Sequence, residues 1–107
     1  MPQVKLGDEV PADFERFKKF LQDIAPEKIE EVIDTIIDGL SILEHTPYAG
    51  EPHPLDKVPD MRKLVISYGK AGYVALYTFD PQTDVVTIQA MRHQKEIELL
   101  FLQRWDV

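Results

Sequence analysis

Residues 46–59 contain Pro47, Gly50, Pro52, Pro54 and Pro59, a density of ring-locked residues lacking an N–H donor that neither a helix interior nor a central strand tolerates. This connector divides the chain into halves whose apolar residues recur with different periods. Before it the steps are three and four residues, the spacing of amphipathic helices; after it apolar and polar residues tend to alternate, the spacing of strands. A chain patterned this way buries its helices against a sheet, so the fold class is α+β.

In the first half, Val4 and Leu6 alternate within a brief strand, Gln3–Leu6, that Gly7-Asp8 ends. Asp8 is placed to cap a first helix and Pro11 suits its first turn. Phe14, Phe17, Phe20, Leu21 and Ile24 then line one face. That helix ends at Ala25-Pro26. Pro26 can open a second helix, with Glu27, Glu30 and Glu31 at its positive dipole end, and with an apolar stripe of Ile29, Val32, Ile33, Ile36, Ile37, Leu40 and Leu43. So short a link predicts an antiparallel helical hairpin.

The second half predicts three strands, at Arg62–Tyr68, residues 73–79 and Val85–His93, joined by tight turns at Gly69 to Gly72 and at Asp80-Pro81-Gln82-Thr83-Asp84. The expected order is β-α-α-β-β-β in one domain, residues 1–107, on a mainly antiparallel sheet. Pairing Tyr68 with Tyr73 and Phe79 with Val85 puts Arg62, Leu64, Ile66, Tyr68, Tyr73, Ala75, Tyr77, Phe79, Met91 and His93 on one face. It puts Val65, Val74, Leu76, Val86, Ile88, Ala90 and Arg92 on the other. Phe14, Phe17, Ile33, Ile37, Leu40, Leu76 and Ile88 are expected to be buried. Both faces are apolar enough to need cover. The segment from Glu96 to Trp105, with Ile97, Leu99, Leu100, Phe101, Leu102 and Trp105, is either a docked C-terminal helix or a surface for a partner.

Composition removes several functions. There are no cysteines, hence no disulfide, thiolate nucleophile or cysteine-based metal site. No cofactor is expected, and no metal, since His45 and His53 lack a ligand partner at helical spacing. No stretch approaches the roughly 20 apolar residues of a membrane span, and Met1-Pro2-Gln3-Val4-Lys5 lacks the layout of a signal peptide, which points to a cytoplasmic protein without membrane contact. Residues 1–60 carry six basic side chains against fourteen acidic ones, while residues 61–107 carry six against five. A protein gripping nucleic acid over a broad surface needs the opposite field.

Residues 61–77 contain Arg62-x-Leu64-x-Ile66 and Gly72-Tyr73-x-x-x-Tyr77, and residues 84–96 end in Arg92-His93-Gln94-Lys95-Glu96. With the connector Thr46-Pro47-x-x-Gly50-x-Pro52 and the element order, these motifs resemble the RelE/ParE superfamily of bacterial type II toxins, closer to the ParE-like branch, and the resemblance spans nearly the whole chain. Glu51 departs from it, since relatives often carry arginine there. The resemblance implies a toxin of the plasmid-stabilisation type, neutralised by a cognate antitoxin and touching operator DNA only through that antitoxin. It implies either poisoning of DNA gyrase, as in ParE-type members, or ribosome-dependent mRNA cleavage, as in RelE-type members; a degenerate member would bind its antitoxin without toxicity. The positions where RelE-type nucleases commonly carry arginine, arginine and tyrosine align with Val74, Gln94 and Leu100. Neither valine nor leucine can move a proton or stabilise phosphorane charge, so gyrase binding is the expected activity.

If the chain were a nuclease, its catalytic groups would be Arg92, His93, Lys95 and Glu96, with the difficulty that alternation points Arg92 and His93 to opposite faces. Candidate residues for contact with the target or antitoxin are Arg62, Tyr68, Tyr73, Tyr77, Arg92, His93, Leu99, Phe101 and Trp105. Histidine at a strand end suits a base or a backbone hydrogen bond equally well. Aromatic rings on a sheet face suit stacking or core.

Overall fold

The computed structural model describes residues 1–95; the expectations for Glu96, Leu99, Leu100, Phe101 and Trp105 fall outside them. The elements are β1 (Gln3–Leu6), α1 (Val10–Ile24), α2 (Ile29–Ser41), β2 (Glu51–Pro52), β3 (Arg62–Tyr68), β4 (Ala71–Asp80) and β5 (Val85–His93). Single 3-10 turns lie at Pro26–Lys28 and Ile42–Glu44. The sheet order is β1-β5-β4-β3-β2, with β1 parallel to β5 and every other neighbour antiparallel. The two-residue strand β2 was not foreseen; it pairs Glu51 with Lys63, whose ammonium lies 3.2 Å from the Glu51 carboxylate.

Helix α1 begins without the expected Asp8 cap. Its N-terminal flank is Glu9, with no side-chain cap, and the Val10 N–H donates to the Gly7 carbonyl at 3.1 Å. Pro26 stops it as anticipated, and the Ala25 N–H closes the last turn on Leu21. The core gathers Val10, Phe17 and Leu21 from α1, Val32, Ile36 and Leu40 from α2, and Leu43 just beyond it. From the sheet it takes Ile66, Tyr73, Ala75, Tyr77, Val86, Ile88 and Met91. Phe14 packs at its margin.

Three expected core positions shift: Ile33 is only half-buried and stands outside the core cluster, and Ile37 and Leu76 depart further. Ile37 is 54% exposed, while Ile36 is fully buried; successive helical residues are turned by about 100°, and the stripe is wider than the arc the sheet can cover. Leu76 is only half-buried, on the face away from the core cluster. The register also differs. Tyr68 pairs with Ala71 rather than Tyr73, a two-residue change that keeps each side chain on its face. Between β4 and β5 a bulge separates Leu76↔Ala90 from Tyr77↔Ile88, leaving Gln89 as the extra residue. Beyond it Phe79 faces Val86, not Val85. One added residue reverses the facing of everything on one side of it, so Val86 and Ile88, expected opposite Tyr77, join it in the core.

Candidate functional site

Three side-chain assemblies hold the residues singled out from the sequence. The first stands at the end of β5. Strand β1 reaches only as far as Ile88 along β5, so among the described residues Met91 has no strand on that side. Side chains take its place. The Met91 N–H donates to Asp13 Oδ2 at 2.8 Å, and the Met91 carbonyl accepts from Arg92 Nη1 at 2.8 Å and from Arg16 Nη2 at 3.3 Å. Both guanidinium groups also meet Asp13 Oδ1, Arg16 at 2.8 Å and Arg92 at 3.0 Å. Asp13 is 4% exposed, the one buried charged residue among those described. A buried carboxylate persists when paired and hydrogen-bonded, and this one is served on both oxygens. Arg92 is therefore part of the bolt joining α1 to β5.

His93, next along the strand, packs its ring edge-on to Tyr73 at 5.0 Å. Its Nδ1 accepts the Lys95 backbone N–H at 3.1 Å, which in the neutral ring leaves the proton on Nε2. Tyr73 is itself 5% exposed and meets Phe17 at 4.9 Å. Of the expected nuclease set, Arg92 and His93 thus turn to separate structural partners.

The second assembly pins the connector. Tyr77 is fully buried; its hydroxyl donates to the Pro47 carbonyl and accepts from the Gly50 N–H, both at 2.9 Å. Arg62 donates through Nε to the Gly50 carbonyl at 3.0 Å and through Nη2 to the Tyr48 carbonyl at 3.1 Å. Its guanidinium stacks on the Tyr48 ring at 5.3 Å, and Phe79 meets that ring edge-on at 5.2 Å. A Cβ on Gly50 would come within 2.7 Å of the Lys63 carbonyl oxygen and of the Tyr77 ring, so the motif's glycine is required by close approach. Arg62 and Tyr77 serve the connector, and the exposed aromatic ring they support is Tyr48.

The third assembly is the open edge of β3. Tyr68, half-buried at the strand's end, has its phenol pushed above the usual tyrosine range, first by loss of hydration and then by the nearby Glu31 carboxylate. Strand β2 covers β3 only at Arg62 and Lys63. Alongside the remainder lies a groove of about 320 Å³ lined by Thr35, Asp38, Gly39 and Ile42 from the helical side and Leu64 to Ser67 from the strand. Gly39 permits this approach: a Cβ there would stand 2.8 Å from the Ile66 side chain. No cluster of metal-ligating side chains occurs among the described residues.

Sequence reasoning missed Asp13 and Tyr48. Asp13 carried a signal: it is a charged residue three positions from Val10 and four from Phe17, on the apolar face of α1, with Arg16 three residues further on. Tyr48 carried none, because only the folded connector sets it over Arg62.

Known proteins share this architecture. A family model described as the ParE toxin of the type II toxin-antitoxin system parDE matches residues 4–98. The chain belongs to the ParE toxin family. Among curated proteins, this ParE family member is 31% identical to Toxin RelE3 of Caulobacter vibrioides over 96 residues, covering 90% of this chain and 98% of that protein. Among solved structures it resembles the chromosomal ParDE toxin-antitoxin system of P. aeruginosa, with a TM-score of 0.66, 19% identity and coverage of 87% of this chain and 96% of that one. The toxin-antitoxin complex RelBE2 of Mycobacterium tuberculosis gives a TM-score of 0.58 at 17% identity, over 87% and 91%. At those identities the structural likeness establishes the fold. Within it, Val74 is 3% exposed on the far face of the sheet and Gln94 lies just past β5.

Proposed function

We propose that this ParE family toxin acts by binding a protein target, DNA gyrase, and is held inactive in the cytoplasm by a cognate antitoxin. One observation carries the reading: the two strand-end groups best suited to phosphodiester chemistry, Arg92 and His93, are each engaged by structural partners. In-line attack by a ribose hydroxyl needs a base and a cation aimed at one phosphate. Here the Arg92 guanidinium lies against Asp13 and the Met91 carbonyl, and His93 Nδ1 is occupied by the Lys95 N–H. The formal charge of −7 also opposes broad contact with RNA. A protein interface instead depends on a few large anchors, such as Trp105 of the C-terminal segment. The likeness to Toxin RelE3 favours the second reading, a ribosome-dependent mRNA endonuclease.

The purified protein, with its Trp105→Ala and His93→Gln variants, is tested for inhibition of gyrase supercoiling and for translation-dependent RNA cleavage, alongside growth arrest in cells. We expect gyrase inhibition and growth arrest to be lost in Trp105→Ala and largely kept in His93→Gln, with circular dichroism confirming that both fold. RNA cleavage by the unaltered protein that disappears in His93→Gln but survives in Trp105→Ala would overturn the gyrase reading.

A further inference from the structure

Among the described residues, the edge of β3 is the least protected part of the sheet. From Leu64 to Tyr68 the strand reads Leu-Val-Ile-Ser-Tyr, without charge or proline, and Val65 is 45% exposed. Lys63 faces Glu51 of β2, and in an antiparallel pair the backbone groups alternate sides, so those of Val65 and Ser67 point outward past the end of β2. Such a run is a template for another strand. The sheet's other free margins are defended: β1 is four residues long, follows Pro2 and carries Lys5, and the uncovered end of β5 is closed by Asp13 and Arg16.

Helix α2 overhangs the open edge, so alternate side chains of an added strand would enter the groove beneath it. The wall they meet is acidic. Asp38 lines the groove, Glu31 lies one turn before Thr35 on the same side of α2 and reaches Tyr68 at the groove's far end, and Ile42, 50% exposed, closes the near end. No described cation forms an ion pair with Asp38 or Glu31. Glu31 and Asp38 are seven residues apart, about 10 Å along the helix, within the span of two or three helix-facing positions of an extended chain.

We infer that the β3 edge docks an extended segment of a partner protein that presents Lys or Arg on the side facing α2, each apolar stem lying over Gly39 and Ile42 and each cation reaching Asp38 or Glu31. The inference rests on the reading of this chain as a toxin held by a protein partner, and it specifies that partner's chemistry. A second copy of this chain is the poorer occupant: antiparallel pairing of two β3 edges about a twofold axis would set the two acidic α2 walls on the same face of the joined sheet, where like charges repel. An acidic partner segment fails for the same reason.

The test uses two dye-labelled, end-blocked decapeptides, one alternating Lys with Thr and Val and the other carrying Glu in place of each Lys. Fluorescence anisotropy is read at low and physiological salt on the full chain, with amide exchange followed by NMR. The expected result is at least tenfold tighter binding of the Lys peptide, with slowed exchange at Val65 and Ser67. Asp38→Lys should remove that preference, whereas Asp23→Lys, an equal change of charge on α1, should leave it in place. Equal binding of both peptides, equal loss in the two variants, or exchange at Val65 and Ser67 unaltered by peptide would overturn the inference. So would peptide-free dimers in sedimentation that protect those amides. Growth arrest is scored separately: its absence would count against the toxin reading, and peptide discrimination would still decide the edge.

Discussion

Replacing Asp13 with Ala removes one carboxylate and three of its bonds. The Met91 N–H loses its acceptor in a buried setting, which costs about 1–3 kcal/mol. The two guanidinium contacts must be discounted for water: the Arg16 side chain is 43% exposed and that of Arg92 30%, so together they contribute about 1 kcal/mol. The expected loss is about 3 kcal/mol. For a domain of roughly 100 residues this lowers Tm by about 10–25 °C. Asp13→Asn keeps an acceptor for Met91 and gives up the charge, so it should cost only about 1 kcal/mol. Urea unfolding of the single variants, Arg92→Ala and the Asp13→Ala/Arg92→Ala double variant closes the cycle, and a coupling of about 0.5 kcal/mol, half of what the two guanidinium contacts contribute together, is expected for this partly exposed pair. A loss below about 1 kcal/mol for Asp13→Ala, or strict additivity with Arg92→Ala, would refute the bolt between α1 and β5.

Adjacent isoleucines give a sharper contrast: Ile36→Ala should cost about 2–5 kcal/mol and Ile37→Ala under about 1 kcal/mol in the same unfolding assay. The Tyr68 phenol should ionise above its ordinary value of 10.0, as read from the alkaline absorbance change that disappears in Tyr68→Phe, and Glu31→Gln should lower that midpoint. Because the folded protein holds this proton more tightly than the unfolded chain, the linked stability is present in full below pH 10 and fades as pH rises through the folded midpoint.

The parts of the fold that rest on local periodicity were legible. Both helices, the stop at Ala25-Pro26 and the meander follow from spacing and from proline. The facing of Val86 and Ile88 was not, because the bulge at Gln89 has no glycine to mark it and one unmarked residue inverts the parity on which the assignment depended. The candidate site was readable as a set of residue types but not as a set of roles. Arg62, Tyr77 and Arg92 look in sequence like side chains awaiting a ligand, yet each is occupied by a segment 12 to 79 residues distant along the chain. Long-range partners of that kind leave no imprint on local pattern.

The parallel pairing of Gln3 with Val85, continuing to Leu6 with Ile88, bears on how the chain reaches this state. Within this sheet, the first strand to leave the ribosome rests on the last one described. Synthesis proceeds at about 5–20 residues per second, so β1 and the apolar face of the hairpin wait several seconds for the strand between β1 and β4. Closing a loop of that length precedes any reward from the contacts it brings, which places the fold among the slower ones for its size. During that interval the isoleucine stripe of α2 is wet, and a partner present at the site of synthesis meets a nascent chain whose sheet is not yet assembled.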